Sequence, residues 1–100
     1  MKVIISQPMK GKSEQQVREE RASLVKAIEA KGDTVVDTVF PDVTGKGNIP
    51  LKYLAKSLEF IADADVVVFM DGWENARGCK IEHQCCIDYG IKTDYVGVSA

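Results

Sequence analysis

The sequence of 100 residues lacks the features that mark disulfide-rich, membrane-spanning and nucleic-acid-binding proteins. Its three cysteines are an odd number and two of them are adjacent, so we expect no disulfide framework and a reducing, cytoplasmic location. No apolar run approaches membrane-spanning length, and the first residues form a strand pattern rather than a signal peptide. The net charge of −2 gives no general attraction to a nucleic acid polymer. The sequence therefore predicts neither a membrane partner nor a polynucleotide partner.

The residues that are present are typical of a globular domain, with an apolar fraction of 45% and a charged fraction of 28%. One hundred residues leave room for one hydrophobic core, so residues 1–100 are predicted to form a single domain. A domain of this size buries only a modest fraction of its surface. We therefore expect a homo-oligomer.

Strand patterns and helix patterns alternate along the chain. The predicted strands are Lys2–Ser6, 34–38, 65–70 and 95–98. The first predicted helix begins at Ser13 and is ended by Gly32. The second spans 51–63, and the third spans 77–89 with Gly90 as its stop. Residues 40–50 are predicted to form a loop. This alternation predicts parallel βαβ units, and hence an α/β three-layer fold with a parallel sheet of four to five strands in flavodoxin-like order.

Residues 64–90 carry the strongest functional signal. A continuous apolar run, typical of a buried parallel strand, ends at Asp71 and is followed by a polar loop and a helix. Ligands of open α/β sheets bind outside the carboxyl ends of the strands. Asp71, Trp73 and Glu82 are therefore expected to lie in one cleft beside the N–H groups of a helix start. Such a cleft suits a ligand with a sugar or a phosphate.

The individual residues of this segment allow two interpretations each. Trp73, the only tryptophan, either stacks on a base or covers the sheet edge as a lid or an oligomer contact. Gly78 permits close approach of a ligand to the backbone. Glu82 lies one helical turn beyond Gly78 and either points into the cleft or is an ordinary solvated glutamate. Asp71 and Asn75 complete the polar set.

The first loop, residues 6–12, also precedes a predicted helix and holds two lysines. Backbone N–H groups around Met9–Gly11 and Gly78, assisted by Lys10 and Arg77, would hold phosphates, with Arg21 as a further helper. The loop is equally well explained as an ordinary strand–helix turn with solvated lysines. The candidate ligand-binding residues are Gln7, Pro8, Met9, Lys10, Gly11, Arg21, Asp71, Trp73, Asn75, Arg77, Gly78 and Glu82.

Cys79, His83 and Cys86 lie at helical spacing and raise the question of a metal site. The chain has no second ligand pair and no C-x-x-C motif, so the cysteines are better explained as small buried apolar residues. The one histidine shares this short helix, which argues against a cysteine nucleophile. We expect no metal and no cofactor.

Residues 4–11 (IISQPMKG) together with residues 64–90 resemble the nucleoside 2-deoxyribosyltransferase-like superfamily. The resemblance follows nearly the whole chain: a strand, an S-x-P-M-x-G loop, an A-D-V-V-V strand and a G-x-x-x-E-x(7)-G helix. Within it, the chain looks most like a family of small phage and prophage proteins labelled a domain of unknown function. That family includes Thoeris anti-defence proteins, which sequester cyclic ADP-ribose-type immune signals, and relatives that hold cyclic dinucleotides and assemble as homotetramers.

The resemblance also implies a chemistry. In the enzymes of the superfamily, the glutamate that matches Glu82 attacks the anomeric carbon of a deoxyribonucleoside. They also place an aspartate before an L-x-x-I-x-x-A-D pattern, which this chain has at residues 58–65, but here that position is Ser57. A hydroxyl cannot replace a carboxylate general acid near neutral pH. The run His83–Cys86 also departs from the small residues of the enzymes, so glycosyl transfer is in doubt.

Two functions from different classes follow from these observations. The first is a phage anti-defence protein of the host cytoplasm that binds a nucleotide-derived signal as a homotetramer built from dimers, without turnover. Tight binding without turnover agrees with a retained cleft and a missing proton-handling carboxylate. The second is a nucleoside or nucleotide N-glycosidase or deoxyribosyltransferase with Glu82 as its catalytic residue.

Overall fold

The computed structural model describes residues 1–40 and 45–96, which form an α/β fold. The strands are β1 (Lys2–Ser6), β2 (Thr34–Val35), β3 (Val66–Phe69) and β4 (Lys92–Tyr95). The helices are α1 (Glu14–Ala30), α2 (Ile49–Ile61) and α3 (Arg77–Tyr89), and a short 3₁₀ turn spans Trp73–Asn75. The alternation of strands and helices predicted from the sequence is confirmed.

The four strands form one parallel sheet in the order β2-β1-β3-β4. Consecutive crossovers place α1 on one face of the sheet and α2 with α3 on the other, since β2 lies to one side of β1 and both later strands lie to the other. The three-layer, flavodoxin-like fold predicted from the sequence is therefore confirmed. The strand count of the described residues is four.

The core divides into two halves because successive strand residues point to opposite faces. On the α1 side, Val3, Ile5, Val66 and Val68 pack with Ile28. On the α2 and α3 side, the strand residues Ile4, Val67 and Phe69 pack together. They contact Ile61 of α2 and Cys86 of α3. Both central strands are buried on both faces, which is why they read as unbroken apolar runs.

The helix ends follow the local sequence. Ser13 and Gln16 form a complete capping box at the start of α1, as their spacing predicts. Asn48 caps α2 through its side chain, so α2 begins two residues before the predicted start at residue 51 and takes Pro50 into its first turn. Gly90 ends α3 with φ of 70°, as a left-handed C-terminal residue.

Two predicted strand boundaries are wrong. Of the segment 34–38, only Thr34–Val35 forms strand β2, and the last backbone hydrogen bond to β1 is donated by the Val36 N–H to the Val3 carbonyl. The last strand is Lys92–Tyr95 rather than 95–98, because Gly90 turns the chain directly back to the sheet and brings Lys92 opposite Val66. A polar edge strand lacks the apolar run on which the prediction relied. Residues 97–98 of that prediction, and 41–44 of the predicted loop, lie outside the described residues.

No helix within the described ranges is long and apolar enough to cross a membrane.

Candidate functional site

A small pocket lies at the carboxyl end of β1, between α2 and α3. Its volume is about 170 Å³, and we call it the inner pocket. Glu82 lies on the inner face of α3, is only 8% exposed, and accepts a hydrogen bond of 2.8 Å from the Ser6 hydroxyl at the end of β1. Ser57 of α2 also lines the pocket. The interpretation of Glu82 as a solvated glutamate is therefore wrong, and its carboxyl faces the cleft.

Burial raises the pKa of Glu82 above its usual value, while the hydroxyls of Ser6 and Ser57 act in the opposite direction. Burial is the larger effect because it removes water from the charged form, and two neutral hydroxyls do not replace that water fully. Ser57 and Ser6 lie on different elements, so the carboxyl is oriented by the packing of the sheet against α2. A carboxyl held in this way is suited to accept hydrogen bonds from a ligand.

Two thiols flank Glu82 on the same face of α3. Burial raises the pKa of Cys79, and the Glu82 carboxylate adds to this effect. Burial raises the pKa of Cys86 to about 11, with a further contribution from Glu82. Both cysteines are therefore thiols at neutral pH, and neither has the thiolate character that a nucleophile needs.

The residues considered for a metal site do not converge. The His83 ring stacks on Trp73 and its Nε2 lies 2.6 Å from the Tyr95 hydroxyl, while Cys79 lines the inner pocket and Cys86 is buried in the core. Within residues 1–40 and 45–96, no group of three or more His, Cys, Asp or Glu side chains is placed to hold a metal ion.

A larger cavity opens outward from the inner pocket, with a volume of about 960 Å³; we call it the outer cleft. The two cavities share walls at the first loop, the start of α2 and the start of α3; the shared residues are Pro8, Met9, Lys10, Pro50, Ala76 and Gly78. Three cationic side chains line the outer cleft, Lys10, Lys12 and Arg77. The combined volume suits a small organic ligand.

Three helix starts border the outer cleft, and they differ in how their N–H groups are used. At α2, the Asn48 side chain accepts from the Leu51 N–H. At α1, the Ser13 side chain accepts from the Gln16 N–H. At α3, Ala76 occupies the N-cap position and offers no side-chain hydrogen bond, so the first N–H groups of α3 have no such partner. Ala76, Arg77 and Gly78 line the outer cleft. The start of α3 is therefore the better position for an anionic group.

Most of the residues predicted from the sequence line one of the two cavities. Gln7 and Glu82 line the inner pocket, Asp71, Asn75 and Arg77 line the outer cleft, and the residues that line both are Pro8, Met9, Lys10 and Gly78. Gly11, Arg21 and Trp73 line neither cavity.

Arg21 is 4% exposed and lies behind the first loop. Its Nε donates a hydrogen bond of 2.9 Å to Gln7 Oε1, and Gln7 Nε2 donates to the Val17 carbonyl and to Glu20. Burial lowers the pKa of Arg21, an effect that the nearby Asp37 opposes. The Arg21 Nη2 atom has no hydrogen-bond partner among the described residues. Arg21 and Gln7 thus tie the end of β1 to α1, and the role of Arg21 in phosphate binding stays a prediction.

Trp73 lies in an aromatic cluster on the α3 side of the sheet; the cluster consists of Phe69, Trp73, His83 and Tyr95. The indole ring stacks on His83 with centroids 4.2 Å apart and leans on Phe69 at 5.4 Å. Much of its surface is therefore covered by its neighbours. Base stacking by Trp73 stays a prediction.

Several residues of the site are absent from the candidates predicted from the sequence, although the resemblance had marked Ser57 as the position where the enzymes have an aspartate. Phe40 and Tyr53 line the outer cleft and Ser6, Thr38, Ser57 and Cys79 line the inner pocket. Phe40 already stacks on Phe60, with centroids 5.5 Å apart, whereas Tyr53 is half-buried. Tyr53 belongs to an amphipathic helix in which its spacing resembles that of a core residue, so only the tertiary structure identifies it as part of the site.

A family model matches residues 1–95 of the chain, over both cavities and the whole sheet. The chain belongs to the family described as Domain of unknown function (DUF4406). No curated protein and no solved structure matches this DUF4406 domain.

Proposed function

We propose that this DUF4406 protein binds a nucleotide-derived small molecule across the two cavities and holds it without turnover. The observation that carries the proposal is that Glu82 is the only carboxyl among the described residues that line the inner pocket. Retaining glycoside hydrolysis requires a pair of carboxyl groups, one as the nucleophile and one as the acid and base. A single carboxyl beside the hydroxyls of Ser6 and Ser57 instead suits hydrogen bonding to the hydroxyl groups of a ribose.

Each part of such a ligand would contact a different part of the two cavities. The ribose would lie in the inner pocket against Glu82. Its phosphates would lie at the start of α3, where the N–H groups are free of side-chain caps and Arg77 adds a positive charge. The base would lie in the outer cleft, where the half-buried Tyr53 offers an aromatic face.

We further propose that the ligand is an immune signal, a cyclic ADP-ribose isomer or a cyclic dinucleotide, and that the protein is a phage anti-defence sponge of the Thoeris type. This finer proposal is supported by the resemblance in sequence described above and by the size of the outer cleft, which lies in the upper part of the range for small-molecule sites. Location in the host cytoplasm and assembly as a homotetramer belong to the same proposal.

The test is to incubate the protein with a panel of cyclic ADP-ribose isomers and cyclic dinucleotides, remove free ligand, release bound ligand by heat, and identify it by mass spectrometry. We expect one class to be released intact. Arg77→Gln is expected to retain less ligand, and Lys80→Gln, an exposed change one turn along α3, is the matched control. Release of cleaved products, or retention of no member of the panel, would contradict the proposal.

A second candidate function is N-glycoside cleavage. The observation that favours it is the Glu82 carboxyl itself, buried at the bottom of a pocket and oriented by the Ser6 hydroxyl at 2.8 Å. In that reaction the carboxylate would bond to the anomeric carbon as the bond to the base breaks. Long incubation of the wild type with deoxyribonucleosides, followed by chromatography, tests it. We expect no free base; base released by the wild type and not by Glu82→Gln would favour the enzyme.

A further inference from the structure

Strand β4 forms one border of the sheet, and its outer edge is unpaired among the described residues. The N–H of Val96, just after the strand, donates to the Phe69 carbonyl of β3 at 2.9 Å. Backbone groups of a strand alternate in direction, so those of Lys92 and Asp94 also face β3 and those of Thr93 and Tyr95 face outward. The outward N–H of Tyr95 accordingly bonds to the Asp94 carboxylate at 2.8 Å rather than to β3.

The side chains of β4 carry a simple charge pattern. Lys92 lies beside Val66 and Asp94 beside Val68, so both point to the α1 side of the sheet. Both are exposed, and no ion pair within residues 1–40 and 45–96 involves either of them. On the opposite side, Tyr95 lies beside Phe69 and remains 37% exposed. The border therefore presents one positive charge, one negative charge and a partly exposed aromatic ring.

We propose that two copies of this chain join β4 to β4 in antiparallel orientation, with the twofold axis at Thr93. In a symmetric antiparallel pair, the twofold axis passes midway between one residue of the strand and the same residue of its copy, and directly opposed residues point to the same face. Centring on Lys92 opposes two lysines, and centring on Asp94 opposes two aspartates. Of these three centres, only Thr93 pairs opposite charges, because it places Lys92 opposite Asp94 of the partner subunit twice.

The direction of the backbone N–H and C=O groups of β4 favours the same centre. Because Thr93 has its N–H and C=O facing outward, it exchanges both hydrogen bonds with Thr93 of the partner subunit. On the α3 side, Tyr95 then faces Ile91 of the partner subunit, an aromatic–aliphatic pair of the kind that stabilises antiparallel strands. The Asp94 carboxylate leaves its own backbone and binds the partner's Lys92. Two four-stranded sheets become one continuous sheet of eight, with the helices of both copies on matching faces.

The proposal is tested by charge exchange, with the molar mass of the full chain measured across a concentration series by light scattering or sedimentation. We expect the wild type to form this dimer, alone or as half of the proposed homotetramer, to an extent that depends on concentration. Lys92→Asp opposes carboxylates and Asp94→Lys opposes ammonium groups, so each variant alone should dissociate about tenfold more readily than the wild type. An equimolar mixture of the two variants should recover the dimer, as should the double variant. Lys26→Asp and Glu29→Lys, exposed on α1, are matched controls and should leave the dimer unchanged.

Hydrogen exchange of the wild type gives a second readout that needs no variant. The amide of Thr93 should become more protected as the protein concentration rises, while that of Ala27 in α1 should not change. A monomer at every concentration would overturn the proposal. So would an oligomer that both single variants retain, because the contact would then use another surface, and so would a mixture that fails to recover the dimer.

Discussion

The inner pocket and the outer cleft share walls, yet they are built from different kinds of contact. The bottom of the inner pocket is formed by buried residues that other elements hold in place, as Ser6 holds Glu82. The outer cleft adds exposed side chains that the inner pocket lacks, such as Asp71 and Arg77, whose positions depend little on packing. The inner pocket is therefore preorganised, and preorganised groups lose little entropy when a ligand binds. The outer cleft acts through charge, which salt screens.

The largest expected effect is a loss of stability in a Trp73 variant. It shows whether Trp73 serves the aromatic cluster or the outer cleft. If Trp73 serves mainly the aromatic cluster, Trp73→Ala should lower the free energy of unfolding by about 3 kcal/mol, because it leaves a cavity beside Phe69 and His83. Denaturant unfolding measures this loss. Unchanged stability together with a loss of ligand affinity would place Trp73 in the cleft as a stacking residue.

The inner pocket is tested through the hydrogen-bonding capacity of Glu82. Glu82→Leu removes both acceptor oxygens and should weaken binding of the ligand identified in the panel by about 2–3 kcal/mol, while Glu82→Gln keeps one acceptor and should cost about 1 kcal/mol. Calorimetric titration at several salt concentrations should give the same losses at each. Glu74→Gln, an exposed change that lines neither cavity, is the control. Equal losses of ligand affinity in Glu82→Leu and Glu82→Gln would argue against a hydrogen-bonding role for Glu82.

Tyr53 is the test of the aromatic wall of the outer cleft. Tyr53→Ala should weaken binding by about 1–2 kcal/mol, because one stacked base contributes on that order. Tyr53→Phe keeps the ring and should bind almost as the wild type does, which separates stacking from hydrogen bonding. Equal affinity of the alanine and wild-type proteins would remove Tyr53 from the site.

Arg77 tests the charge of the outer cleft. Arg77→Gln should weaken binding of a phosphorylated ligand by about 1 kcal/mol at low salt, and by less as salt rises, because the side chain is exposed. Titrations of Arg77→Gln and the Lys80→Gln control at two ionic strengths measure the difference. A loss that is independent of salt would mean that Arg77 belongs to the preorganised part of the site.

The smallest effect is the pH dependence of stability that Glu82 causes. Burial raises the pKa of Glu82 in the folded protein above the ordinary value of 4.5, so the folded state retains this proton more tightly than the unfolded state. Stability due to this group is therefore full at low pH and falls as pH rises from the ordinary value through the raised one. Glu82→Gln should lack this fall. If the stability of the wild type and of Glu82→Gln changed with pH in parallel between acidic and neutral pH, the raised pKa of Glu82 would be contradicted.

The fold was largely predictable because its signals are local. The apolar run of β3, the capping box at Ser13 and the stop at Gly90 each act through neighbours in the chain. The prediction failed at β4, where an edge strand with an exposed polar side needs no apolar run. It also missed Tyr53, because helical spacing cannot distinguish a residue that faces the core from one that faces a cleft.

The sequence by itself determined the alternation of strands and helices, the parallel sheet and the edge at which a site should lie, because hydrophobic periodicity and helix capping depend on residues within a few positions of one another. Only the tertiary structure decided what Glu82, Trp73 and Arg21 contact. Ser6 lies 76 positions from Glu82, and Gln7 lies 14 from Arg21. Hydrogen bonds, burial and pKa depend on distances in space that no local pattern encodes.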